Sequence, residues 1–155
     1  MRLEAIEKAL LVWGPVSDEG ITRIKQEGWL VVVPEGRPGM IGLRHNMIRL
    51  RRAGVKTVYC NDNVLGLLFY KKKIFKTFVF YKTKDEQGLT GFCGTLYAVL
   101  LSRLHQVTVE FLACPKPLPE FTGNAGVLGG KKYILNDEMR GLVEEASDER
   151  IEGEI

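Results

Sequence analysis

Glu35, Gly36 and Arg37 stand between Pro34 and Pro38, directly after the apolar run Val31-Val32-Val33. One carboxylate and one guanidinium in a loop stiffened by two prolines suit recognition of a small anionic ligand. Three further loops carry comparable chemistry. Gly14-Pro15-Val16-Ser17 delivers a glycine, a hydroxyl and a helix start, the parts of a generic anion cradle. Asn61-Asp62-Asn63 places three polar side chains between Tyr59-Cys60 and an apolar helix. Asp62 can there grip hydroxyls or move a proton, and capping the helix is its competing role. Lys82-Thr83-Lys84-Asp85-Glu86 leads to the turn Gly91-Phe92-Cys93-Gly94-Thr95, which adds cations, a helix start and a thiol. Cys93 lies just before that helix, a position that favours thiolate. The expected ligand-binding residues are Gly14, Ser17, Glu35, Arg37, Asp62, Asn63, Lys82, Gly94 and Thr95.

Four loops meet only if the strands before them run side by side in one direction. Five short apolar runs qualify: Leu10–Trp13, Trp29–Val33, Thr57–Cys60, Thr77–Tyr81 and Thr108–Leu112. The run Val31–Val33 has no polar alternation, as in a strand buried on both faces. Between the runs the apolar spacing turns helical. Ile21, Ile24 and Trp29 are expected on one side of the Ser17–Gly28 segment, with Ser17 as N-cap and Asp18 and Glu19 in the first turn. Met40, Leu43, Met47 and Leu50 step along a second helix that Gly54 ends. Val64, Leu67 and Leu68 mark a third, closed by Lys71-Lys72-Lys73, and Leu96, Val99, Leu100 and Leu104 a fourth. Alternating strand and helix predicts right-handed crossovers, hence an α/β, three-layer, Rossmann-like domain: a mostly parallel sheet of five or more strands flanked by helices. Ligands bind such sheets in the crevice at the carboxyl ends of the strands.

A further helix from about Leu3 to Ala9 is expected to pack outside the sheet. Phe75, Phe78, Phe80 and Tyr81 have strand spacing and read as core, with a partner surface as the alternative. The chain changes character after Ala113. Residues 1–113 form the expected sheet domain, and 114–155 an irregular extension of it, rich in proline and glycine. A hairpin carrying Lys131-Lys132-Tyr133-Ile134-Leu135 and a last helix from Asn136 to about Ala146 are expected there, with a mobile acidic tail beyond. Pro115–Gly130 suits a linker, a lid or a subunit contact.

The composition narrows the class. The 155 residues are 45% hydrophobic and 26% charged, ordinary for one globular domain. No apolar run approaches the roughly 20 residues of a membrane span, and an acidic N-terminus does not resemble a signal peptide, so a cytoplasmic protein is expected. Cys60, Cys93 and Cys114 lack Cys-x-x-Cys spacing, and with only His45 and His105 no metal site or cofactor is expected. Residues 136–155 carry eight acids against two arginines, a net of −6, so the overall +3 leaves +9 elsewhere. Asp62 is the only acid between Arg44 and Lys82, but no exposed aromatics interleave that basic stretch, which disfavours a nucleic-acid partner.

The loops, taken in order, resemble the C-terminal domain of the translation initiation factor 2B alpha/beta/delta family. Methylthioribose-1-phosphate isomerase and ribose-1,5-bisphosphate isomerase belong to the same family. Trp13-Gly14-Pro15-Val16-Ser17 is similar to its Thr-His-Gly-x-Ser loop, and Val33-Pro34-Glu35-Gly36-Arg37-Pro38 to its Thr-Glu-x-Arg-Pro loop. Gly42 opens a helix, Ala53-Gly54-Val55 follows, and Asp62-Asn63-Val64-Leu65-Gly66 resembles Asp-Ser-Ala-Val-Gly. Gly94-Thr95 resembles the end of Asn-Lys-x-Gly-Thr. Order and spacing agree from about Leu10 to Leu112.

The resemblance implies that Asp62 stands where the isomerases hold their general acid/base aspartate. It also implies departures. Their catalytic cysteine belongs to a motif upstream of every matched residue, and the sequence begins after it. Their Gly-Ala-Asp motif falls near Tyr81-Lys82-Thr83, without an acid, and their Asn-Lys pair falls on Gly91-Phe92. Lys82 or Lys84 would have to replace that lysine, and the helical domain that covers the family's crevice is not expected among these residues. The expectation is therefore a non-catalytic domain that binds a sugar phosphate or nucleotide and assembles as a homodimer or with a related subunit. The alternative is an aldose–ketose isomerase using Asp62 with Cys93.

Overall fold

A computed structural model describes residues 3–119, 125–128, 131–134 and 148–152. After a short 3-10 turn at Leu3–Ala5 come β1 (Ala9–Trp13), α1 (Asp18–Glu27) and β2 (Leu30–Pro34). A π-turn at Gly42–Asn46 leads into α2 (Met47–Arg52), then β3 (Thr57–Cys60). A 3-10 turn at Asp62–Val64 opens α3 (Leu65–Tyr70), followed by β4 (Ile74–Tyr81), β5 (Thr83–Lys84) and β6 (Gly88–Phe92). The remaining elements are α4 (Thr95–Leu104), β7 (Thr108–Ala113), β8 (Ala125–Leu128), β9 (Lys131–Ile134) and β10 (Asp148–Glu152).

Five strands make one parallel sheet in the order β3-β2-β1-β4-β7. Every residue of β1 is buried because this strand is central and covered on both faces. Its side chains alternate between two cores. Leu10 and Val12 join Val31, Val33, Phe78 and Phe80 beneath α1 and α2. Leu11 and Trp13 join Val32 and Val79 beneath α3 and α4. The helices change face because the chain steps from β1 out to β3 and then returns through α3 to β4. Right-handed crossovers in opposite directions put their helices on opposite faces. The sheet therefore reverses its order between β1 and β4, which sets the crevice there.

The expected helices and strands are present, with four corrections. The helix expected over Leu3–Ala9 is absent: Ala9 already pairs with Leu30 and Ile74, so sheet pairing overrides the local helical spacing. Strand β4 starts three residues earlier than the apolar run, at Ile74, because Lys76 is accommodated by ion pairs with Glu27 and Glu110. The loop after β4 is not open: β5 and β6 form an antiparallel ribbon. The acidic tail is not free either, since β10 adds to β6 in five-residue antiparallel register and buries Ile151. Phe78 and Phe80 are fully buried, which assigns the aromatic run to the core. Strands β8 and β9 pair as a hairpin. The helix expected at Asn136–Ala146 lies outside the described residues.

Among the described residues no helix is long and apolar enough to cross a membrane. A buried hydroxyl pair, Thr77 to Ser102 at 2.8 Å, ties β4 to α4.

Candidate functional site

The site lies at the carboxyl ends of the strands, and Asp62 organises its first half. Asp62 follows β3 and does not cap its own helix. Its Oδ1 accepts the amide of Gly36 at 2.8 Å and its Oδ2 the amide of Arg37 at 3.0 Å. The loop after β2 is thus clamped from the neighbouring strand. Arg37 Nε donates to Glu35 Oε2 at 2.9 Å; the guanidinium side chain is 51% exposed and the carboxylate side chain 12%. The Glu35 carboxylate also acts electrostatically on the Tyr59 phenol. Burial and then that carboxylate push the phenol up to about 12. Burial, followed by Asp62 and Glu35, pushes the Cys60 thiol up to about 12. The hydrogen bond to Glu35 raises the pKa of the Arg37 guanidinium, as an ion pair does.

The second half forms where β6 turns into α4. Gly94 adopts φ +84, and a Cβ there would fall inside the ring of Trp13. That ring fills the space between β1 and α4, and its Nε1 donates to the Cys93 carbonyl at 3.1 Å. Glu149 of β10 reaches over this turn. Its Oε1 accepts the amide of Gly94 and its Oε2 the amide of Leu96, both at 2.8 Å. A carboxylate across the first turn satisfies orphan amides and meets the positive end of the helix dipole. The Cys93 thiol lies within the electrostatic influence of the same carboxylate. Burial, then Glu149, then the more distant Asp62 raise Cys93, so the thiolate expected at a helix start does not form. That is a correction: the dipole loses to desolvation and two negative charges.

The other expected residues are spent locally. Ser17 caps α1 by accepting the Gly20 amide at 3.2 Å. Thr95 is fully buried, turned against Gly91, and its hydroxyl has no hydrogen-bond partner. Gly14 has φ +80, and a Cβ there would collide with the Phe80 carbonyl oxygen. Asn63 is exposed. Lys82 lies over the Phe92 ring at 4.6 Å, and burial lowers its pKa. The structure brings together Glu35, Arg37 and Asp62 after β2 and β3, and Cys93 and Gly94 where β6 turns into α4. It does not gather Ser17 and the Thr95 hydroxyl with them.

Three residues escaped sequence reasoning. Tyr59 was visible only as the end of a strand. Asn46, 2% exposed, accepts the Val16 amide at 3.0 Å and donates to the Gly14 carbonyl at 2.9 Å, which fixes the loop after β1. Its signal is a polar residue on the apolar side of a helix. Glu149 left no signal, because its partners lie more than fifty residues away.

No family model matches the sequence, and neither does any curated protein. Solved structures do match in shape. The delta subunit of translation initiation factor eIF-2B from A. fulgidus superposes with a TM-score of 0.61 at 18% identity, over 72% of this chain and 37% of that one. The 5-methylthioribose 1-phosphate isomerase of Pyrococcus horikoshii OT3 gives 0.63 at 16% identity, over 72% and 35%. The P. horikoshii OT3 translation initiation factor eIF-2B gives 0.53 at 15% identity, over 85% and 52%. The chain spans between about a third and a half of the length of these structures. The fold implied by the loop motifs, shared by eIF-2B subunits and 5-methylthioribose 1-phosphate isomerase, is the fold this chain adopts.

Proposed function

We propose that the chain is a non-catalytic binding and assembly module of the initiation factor 2B type, whose crevice takes a phosphorylated sugar or nucleotide. The bonding of Asp62 carries this reading. Both of its oxygens accept backbone amides, which ties the carboxylate to the loop after β2. Cys93 is held as the thiol. An aldose–ketose proton transfer needs a mobile base and acid at neighbouring carbons, and this pair does not offer them.

Anion binding is supported by the half-exposed Arg37 and by the α4 start, where a carboxylate of the chain itself already sits. Assembly is supported by the outer faces of α3 and α4, where Leu67, Tyr70, Leu100 and Leu104 are exposed. Apolar faces of that kind mark subunit contacts, and a second copy or a related subunit fits. A cytoplasmic location accords with this reading.

Calorimetric titration of ribose 5-phosphate and of a nucleoside monophosphate into wild type and Arg37→Ala tests it. The loss of one charge-assisted contact weakens binding about tenfold. No binding by either protein refutes the reading. The likeness to an isomerase favours a second reading, in which Asp62 transfers a proton; turnover of methylthioribose 1-phosphate, abolished in Asp62→Asn, would establish it.

A further inference from the structure

We propose that the amino ends of the strands, opposite the crevice, form a second site: a stacking platform on Trp29 with a lysine rim, which takes single-stranded nucleic acid. A parallel sheet gathers its helix-to-strand turns at that end. The residues directly before four neighbouring strands are Lys56 before β3, Trp29 before β2, Lys8 before β1 and Lys73 before β4. The strands are level there. Ala9 faces both Leu30 and Ile74, its amide donates to the Lys73 carbonyl at 2.8 Å, and the Val31 amide donates to the Lys56 carbonyl at 2.9 Å. At strand spacings of about 4.8 Å, the four residues cover roughly 14 Å of edge.

Trp29 is 44% exposed, although tryptophan is highly buried on average. Phe75 meets its ring edge-on at 5.2 Å between centroids, which braces the indole and leaves nearly half of it open. A groove of about 190 Å3 lies beside it, with Ile24 and Val55 as its apolar lining and Lys25 and Lys56 as its cations. Gly28 and Gly54 keep it open, since a Cβ at either would stand in empty space. A cavity of about 150 Å3 already holds benzene, so the groove admits a base. Lys8, Lys25, Lys56 and Lys72 are exposed and have no ion pair among the described residues. Of the acids nearby, Glu4 and Glu7 are exposed before β1, and Glu27 is neutralised by its ion pair with Lys76. Sequence order hides the platform, because Trp29 lies outside the basic stretch Arg44–Lys82 and meets it only through the fold. A base on the indole and phosphates on the lysines is how single strands are held without base readout. A duplex, whose bases stack on one another, cannot use the indole.

The test titrates the full chain into a fluorescein-labelled oligothymidylate of about twelve nucleotides, followed by anisotropy. Wild type is expected to bind it and, with the unlabelled strand, to lose Trp29 emission while the buried Trp13 still emits. Trp29→Ala weakens binding about tenfold, and Trp29→Phe, which keeps a ring, recovers most of the loss. Lys8→Ala and Lys56→Ala each flatten the slope of log affinity against log salt by about 0.7. A duplex of the same length binds more weakly than the single strand. Equal affinity in wild type, Trp29→Ala and Trp29→Phe overturns the inference, as does failure of wild type to bind. Binding that spares Trp29 emission belongs elsewhere on the molecule and overturns it too. Duplex or polyglutamate bound as tightly as the strand reduces the edge to a general anion surface, which is a refutation. Thymidine monophosphate separates the free nucleotide from the strand: equally tight quenching by the monophosphate refutes the strand. If Trp29→Ala fails to fold, Trp29→Phe and the lysine slopes decide, because emission loss that persists in Trp29→Phe, or slopes unchanged in both lysine variants, overturns the site.

Discussion

Gly94→Ala is expected to lower the melting temperature by about 10 °C, the largest single-residue effect at this site. Two costs add. An L-residue at φ +84 pays roughly 1–2 kcal/mol for the left-handed conformation. The new methyl also enters the Trp13 ring, and overpacking a buried contact costs about 1–3 kcal/mol. Trp13 cannot retreat cheaply, because it is 3% exposed and its indole N–H holds the Cys93 carbonyl. A total near 3 kcal/mol in a domain of this size converts to a shift of about 10 °C. Gly28→Ala is the control. It has φ +72 but nothing within 4 Å of the added carbon, so only the same conformational cost of roughly 1–2 kcal/mol applies. Thermal denaturation of both variants checks the difference, and equal shifts would show that the Trp13 contact contributes nothing.

The same comparison shows what could be read in the chain and what could not. Local signals succeeded wherever one element carries its own instruction. Ser17 and Gly28 bracket α1 as N-cap and left-handed C-cap, and the unbroken Val31–Val33 run is a strand covered on both faces. The parallel order followed from alternation and handedness. Failures share one cause: a distant segment supplied the decisive partner. β10 has one apolar residue among acids, which reads as a solvated tail until β6 offers it an edge. Asp62 was recognised as important but not as a clamp, since its partners belong to the loop after β2. Thr95 lies where an anion-binding hydroxyl would, yet its rotamer is set by close packing on Gly91, which no local pattern encodes.

Asp62 carries the second large prediction. Asp62→Ala strands the amides of Gly36 and Arg37, one partly buried and one exposed. Removing the acceptor from two donors costs about 2 kcal/mol, or roughly 6 °C in melting temperature. Asp62→Asn keeps one carbonyl acceptor and loses about half as much. Binding of ribose 5-phosphate should fall with both variants, although on this reading Asp62 does not touch the ligand. It positions Arg37, whose backbone it holds 3.0 Å away. A double-mutant cycle with Arg37→Ala separates positioning from contact. If Asp62 acts through Arg37, adding Asp62→Ala to Arg37→Ala weakens binding little further, because the loop has already lost its cation. If Asp62 grips the ligand itself, the two losses add. Additivity, or an Asp62→Asn protein as stable as wild type and deficient only in turnover, would move Asp62 from the loop to the reaction and favour the isomerase.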